Sequence, residues 1–119
     1  MRSLVFRLDA QGVTLQEAAS IAGRVKSLPR SAAEDRVEFV AFAEDGRELF
    51  AGAFDHPLHR RLEFESATQP GQLESVRSSV AANLFPLRLP AEPHAARVAF
   101  FEVRAGRAGR QSLGEVLLP

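Results

Sequence analysis

The chain has 119 residues, 45% of them hydrophobic and 25% charged, with a formal net charge of zero. This is enough chain and enough apolar content for one globular domain spanning 1–119, and the charge balance gives no footprint of a nucleic-acid binder. The absence of cysteine excludes disulfides, thiol catalysis and thiolate-ligated zinc.

Hydrophobic alternation starts at once. In "SLVFRLD", Leu4, Phe6 and Leu8 share one face of a predicted strand, and "DAQG" then turns the chain. No stretch of 18 apolar residues could form a membrane span, and the N-terminal residues are too soon charged for a signal peptide. If the chain is complete, the expected location is therefore cytoplasmic. The next segment, "TLQEAASIAGRVKSL", can be read in two ways. Thr14 and Glu17 fit a capping box, and Leu15, Ala18, Ala22 and Val25 recur at helical spacing. The same segment also alternates through Val13, Leu15, Ala19 and Ile21, and Gly23 would cost a helix about 1 kcal/mol. The residues 13–27 fit strand better than helix, and both stay open. "SLPRSAAEDR" follows as a mobile connection.

"RVEFVAFA" and "RELFAGAF" flank Asp45-Gly46, a dipeptide suited to a tight hairpin turn. "RRLEFE" alternates again, with Leu62 and Phe64 on one face and Arg61, Glu63 and Glu65 on the other. In "PGQLESVRSSVAAN", Leu73, Val76 and Val80 follow a Pro-Gly turn at helical spacing, which allows a short helix near 72–82 or a long loop. "LFPLRLP" contains two prolines that cannot donate ladder bonds, so it is expected at a sheet edge or as an irregular strand. "ARVAFFEV" and "QSLGEVLLP" form a last hairpin around "RAGRAGR". The second of these strands is apolar on both faces and has to be covered, by this chain or by a partner. Seven to eight short strands at intervals of roughly ten residues predict an all-β, antiparallel, immunoglobulin-like sandwich, with a barrel as the alternative.

Chemistry-bearing residues are few. "FDHPLHRRLEFE" gathers Asp55, His56, His59 and Glu63, a candidate set for a small metal-binding protein or hydrolase. Pro57 between the histidines and the flanking strands argue instead for a turn, since residues three apart on a strand face opposite ways. Glu63 and Glu65 share a strand face with Arg61, which reads as a salt-laced solvent face rather than an acid/base pair. "AGRAGRQS" lacks the lysine and the strand-to-helix context of a phosphate loop, although Arg104, Arg107 and Arg110 could meet an acidic partner. No G-x-S-x-G or H-E-x-x-H motif occurs. The phenylalanines lie in apolar runs and read as core. No catalytic, cofactor-binding or metal residue and no cofactor is assigned.

The order of motifs from Val37 to Leu118 resembles the N-terminal domain of IgA-peptidase-type zinc metalloproteases. The likeness is carried by "VEFVAFAEDGRELFAGAFDHPLHRRLEFE", by Phe85, Arg88 and Pro90 in "LFPLRLP", and by the closing "SLGEVLLP". It implies a noncatalytic β-sandwich serving as an accessory or protein-interaction module. A protein partner or an adjacent domain is expected, and neither nucleic acid nor membrane.

Overall fold

The computed structural model describes residues 1–65, 71 and 73–119, and the backbone alone of residues 60–65 and 73–78. Seven antiparallel strands form two sheets of an open sandwich. β1 (Arg2–Asp9), β2 (Gly12–Ser20) and β7 (Ala82–Leu89) make a three-stranded sheet in the order β2-β1-β7. β3 (Arg36–Phe42), β4 (Glu48–Asp55), β8 (Arg97–Val103) and β9 (Gln111–Leu117) make a four-stranded sheet in the order β4-β3-β8-β9. β5 (His59–Glu65) and β6 (Leu73–Ser79) pair as a separate hairpin. The two sheets do not close into a barrel. Among the described residues no helix is long and apolar enough to cross a membrane.

The alternation in β1 sets the core. Leu4, Phe6 and Leu8 face inward, and the antiparallel register brings Leu87 beside Leu4 and Phe85 beside Phe6. On the other sheet, Phe39 lies opposite Phe100 and Ala41 opposite Val98, all fully buried. Phe85 joins the layers: its ring centroid lies 5.5 Å from Phe6, 4.9 Å from Phe54 and 5.6 Å from Phe100. Offset and edge-on ring pairs at such distances add to the stabilisation from burial alone. Arg2 is buried at one end of the sandwich. Burial lowers its pKa, and the guanidinium donates to the carbonyls of Ala95 and Pro119, each at 2.7 Å.

The ambiguous segment 13–27 resolves as strand over Gly12–Ser20, where β1 offers an antiparallel partner with one register shift between Val5 and Phe6, and as irregular chain over 21–27. A helix near 72–82 is not formed. Leu73–Ser79 is β6, ladder-paired with β5, and β7 begins at Ala82. Helical spacing of three apolar residues is outweighed by a full strand's backbone pairing. The Asp45-Gly46 turn is present, with the Asp45 carboxylate accepting the Arg47 N–H at 3.0 Å. "LFPLRLP" is an edge strand with β1 as its ladder partner.

Two further segments depart from the sequence reading. Part of the expected mobile connection is pinned: Ser31 N–H donates to the Ala53 carbonyl and Ala53 N–H to the Pro29 carbonyl, both at 2.9 Å. Residues 29–31 thereby cover the free edge of β4. Gly52 permits this approach, since a Cβ there would sit 2.5 Å from the Pro29 carbonyl oxygen and 2.8 Å from the Phe39 ring. β9 carries apolar side chains on both faces, but with a bulge that its sequence does not disclose. A bulge at Gly114, whose φ is +122°, shifts the register opposite Phe100 and Phe101. The extra residue turns both Leu113 and Val116 toward the core and leaves Leu117 outward and 77% exposed. β9 is an edge strand, and β2 of the opposite sheet runs beside it.

Candidate functional site

Strand phase builds the one cluster of chemistry-bearing side chains that stands out among the described residues. On β8 the inward positions run Val98, Phe100, Glu102, so a carboxylate is directed to the core side at the strand's end. On β4, Phe54 points inward, Asp55 outward, and His56 inward again just past the strand. His56 and Glu102 therefore meet at the end of the sandwich. The His56 ring is fully buried, and its Nε2 lies 2.8 Å from Glu102 Oε2.

The protonation pattern of His56 follows from its other nitrogen. Leu58 N–H donates to His56 Nδ1 at 3.1 Å, so Nδ1 carries a lone pair and no proton. The neutral ring then holds its proton on Nε2 and donates it to Glu102. The other Glu102 oxygen, Oε1, accepts from the Arg107 guanidinium at 3.0 Å, and the same Arg107 nitrogen donates to Gln111 at 2.7 Å. Asp35 closes the arrangement. Its backbone carbonyl accepts His56 N–H at 3.0 Å, and its carboxylate accepts Ala105 N–H at 3.0 Å. Through these bonds the corner between β4 and β5 is tied to the β8–β9 hairpin. No buried side-chain nitrogen or oxygen among the described residues lacks a partner.

His59 stands against this network, its ring centroid 4.6 Å from that of His56 and its Nδ1 3.4 Å from Ser79 Oγ. Burial lowers its pKa first, with Arg104 and His56 adding to the effect and Glu102 and Asp35 opposing it. His56, His59 and Glu102 each offer a ligand atom, and these atoms lie within 4.8 Å of one another. Two histidines and a glutamate are a known zinc ligand set. The second nitrogen of a metal-bound histidine normally donates its proton to an acceptor. Here that nitrogen accepts from a backbone N–H, so binding at Nε2 would require an imidazolate. Binding at Nδ1 would require breaking the Leu58 bond. The same two bonds leave His56 no free nitrogen for general acid/base work on a substrate.

Of the sequence candidates, His56 and His59 come together and Asp55 does not join them. Its carboxylate lies on the outer side of β4, where it accepts a hydrogen bond from the Ser31 hydroxyl. The side chains of Arg61, Glu63, Phe64 and Glu65 lie outside the described residues. Glu102, which the sequence reading does not single out, joins the two histidines where the alternative reading offers Asp55. A signal for it was present, since "VAFFEV" puts a carboxylate in phase with Val98 and Phe100, and a buried acid needs partners. Comparisons of the chain with protein-family models, with curated proteins and with solved structures find no match.

Proposed function

We propose that the domain is a noncatalytic, immunoglobulin-like accessory module that docks against a protein partner or an adjacent domain. The observation that carries this reading is the outer face of the four-stranded sheet. Strand alternation puts polar side chains there. Among them Val40 and Phe42 of β3, Ala51 of β4 and Phe101 of β8 form an apolar strip, bordered by Arg30, Glu38, Glu48 and Arg110, around a depression of about 580 Å³. Arginine lies over both rings, with Arg97 4.6 Å from the Phe42 centroid and Arg110 3.9 Å from that of Phe101. Aromatic residues and arginine are the types enriched at protein interfaces. Guanidinium groups over rings keep such a strip hydrated until a partner displaces or shares them.

The resemblance to the N-terminal domain of IgA-peptidase-type metalloproteases supports the accessory role, and the blocked nitrogens of His56 weigh against an enzyme. The alternative is a metal-binding protein, favoured by the closeness of His56, His59 and Glu102. It meets the tautomer difficulty described above.

A photo-crosslinking residue at Val40, compared with one at Thr14 on the opposite outer face, tests the module reading in the producing cell. The expected result is a discrete protein adduct from position 40 that disappears with Phe101→Asp, and none from position 14. Equal labelling at both positions, or none at either, refutes it.

A further inference from the structure

The described residues include cations paired with a carboxylate and cations without such a partner, and of the unpaired ones Arg30, Arg47 and Arg104 lie outside the groove beside β7. Arg7, Arg36, Arg97, Arg107 and Arg110 each pair with a carboxylate, and Arg2 is held by carbonyls. Arg24, Arg88 and Lys26, the one lysine of the chain, are exposed and have no carboxylate partner among the described residues. All three line one groove of about 600 Å³ between the segment after β2 and the edge strand β7, and no Asp or Glu contributes to its walls. In a chain with 15 acidic and 15 basic residues, this is a local separation of charge. Exposed like charges gathered without counter-charge repel one another, and an anion relieves that repulsion.

We infer that this groove binds an extended acidic peptide segment of the docked partner, an inference that rests on the interaction-module reading. Three observations select this occupant. The groove is bounded by an edge strand, and extended segments lie naturally along sheet edges. Pro86 lacks an N–H on that edge, so side-chain pairing rather than a full backbone ladder supplies the recognition. Val25 and Pro86 stand among the cations, which suits a chain that alternates carboxylates with small apolar side chains. Alternate residues of an extended peptide lie about 6.5–7 Å apart on one side, so successive carboxylates can reach different cations. No aromatic ring lines the groove, so it lacks the stacking platform of a single-strand binder.

Fluorescence anisotropy with a short labelled peptide alternating Glu with Val tests the assignment, with a Lys/Val peptide and an oligothymidylate as competing probes. The wild-type domain should bind the acidic peptide saturably and more weakly as salt rises. The triple variant Arg24→Glu, Lys26→Glu, Arg88→Glu should lose at least about tenfold in affinity, whereas Arg47→Glu, at the tip of the β3–β4 turn, should not. All four positions are exposed, and an unchanged melting temperature certifies the fold. Absence of saturable binding by the wild type overturns the inference, as does equal binding by the triple variant. Tighter binding of the oligothymidylate overturns the peptide assignment. The adduct at position 40 reads the opposite sheet independently, so the groove can fail while the module reading stands.

Discussion

Replacing Phe85 with Ala tests how the two sheets are held together. The Phe85 side chain is 5% exposed and touches the rings of Phe6 in its own sheet and of Phe54 and Phe100 in the other. Burying and then deleting a phenylalanine costs about 3–5 kcal/mol. Each lost ring pair adds about 0.5–1.5 kcal/mol beyond the area term, which puts Phe85→Ala in the upper part of that range. A domain of this size is stable by about 5–15 kcal/mol, so the loss is a large fraction of the total. With an m-value near 2 kcal/mol/M, the urea midpoint should fall by about 2 M. The control is Leu84→Ala, one residue away on the same strand but outward and 55% exposed, which should stay within about ±0.5 kcal/mol. Equal effects at the two positions would refute the register of β7, because a slip of one residue exchanges its faces.

Calorimetric titration with zinc at neutral pH should show no saturable uptake, because His56 has its proton on Nε2 and its Nδ1 lone pair engaged; micromolar binding abolished by His56→Ala would revive the metal reading. Gly52→Ala should destabilise by about 1–3 kcal/mol, since its methyl overlaps the Pro29 carbonyl and the buried Phe39 ring, and hydrogen exchange at Ser31 should quicken as the edge cover lifts; an unchanged midpoint would mean that residues 29–31 do not lie on β4. The pH dependence has a definite sign. The pKa of His59 is lower in the folded chain than its ordinary value of 6.5, so the unfolded chain binds more protons and stability rises with pH. Its contribution is complete above that ordinary value and declines as pH falls below it, and the decline should be shallower in His59→Gln. A variant curve parallel to wild type would exclude His59 as the source. Asp9, held below its ordinary pKa chiefly by the Gln11 N–H, acts in the same direction at lower pH, in the carboxylate range.

The sequence alone determined the fold class, because strand alternation is a local property that burial on one face enforces. Leu4, Phe6 and Leu8 could be assigned to one face before any partner strand was known, and the Asp45-Gly46 turn could be placed between its strands. It also disclosed β7 as an edge, since proline's missing donor is a property of the residue itself. Local signals were insufficient where backbone pairing decided the outcome. Leu73, Val76 and Val80 carry a helical spacing, yet the partner strand β5 made Leu73–Ser79 a strand. On β9, one bulged residue at Gly114 reassigned Leu113 and Val116 to the same side, which no period-two reading can anticipate. The cluster at the sandwich end divides in the same way. His56 and His59 were visible as neighbours in sequence, whereas Glu102 reaches them from 46 residues beyond His56 only because β3 places β8 beside it. The tautomer of His56 depends on one backbone N–H, that of Leu58, being aimed at Nδ1. Residue identity names the groups that can exchange a proton, but their directions are set by the folded backbone, which here aims Leu58 N–H at His56 Nδ1 and His56 Nε2 at Glu102.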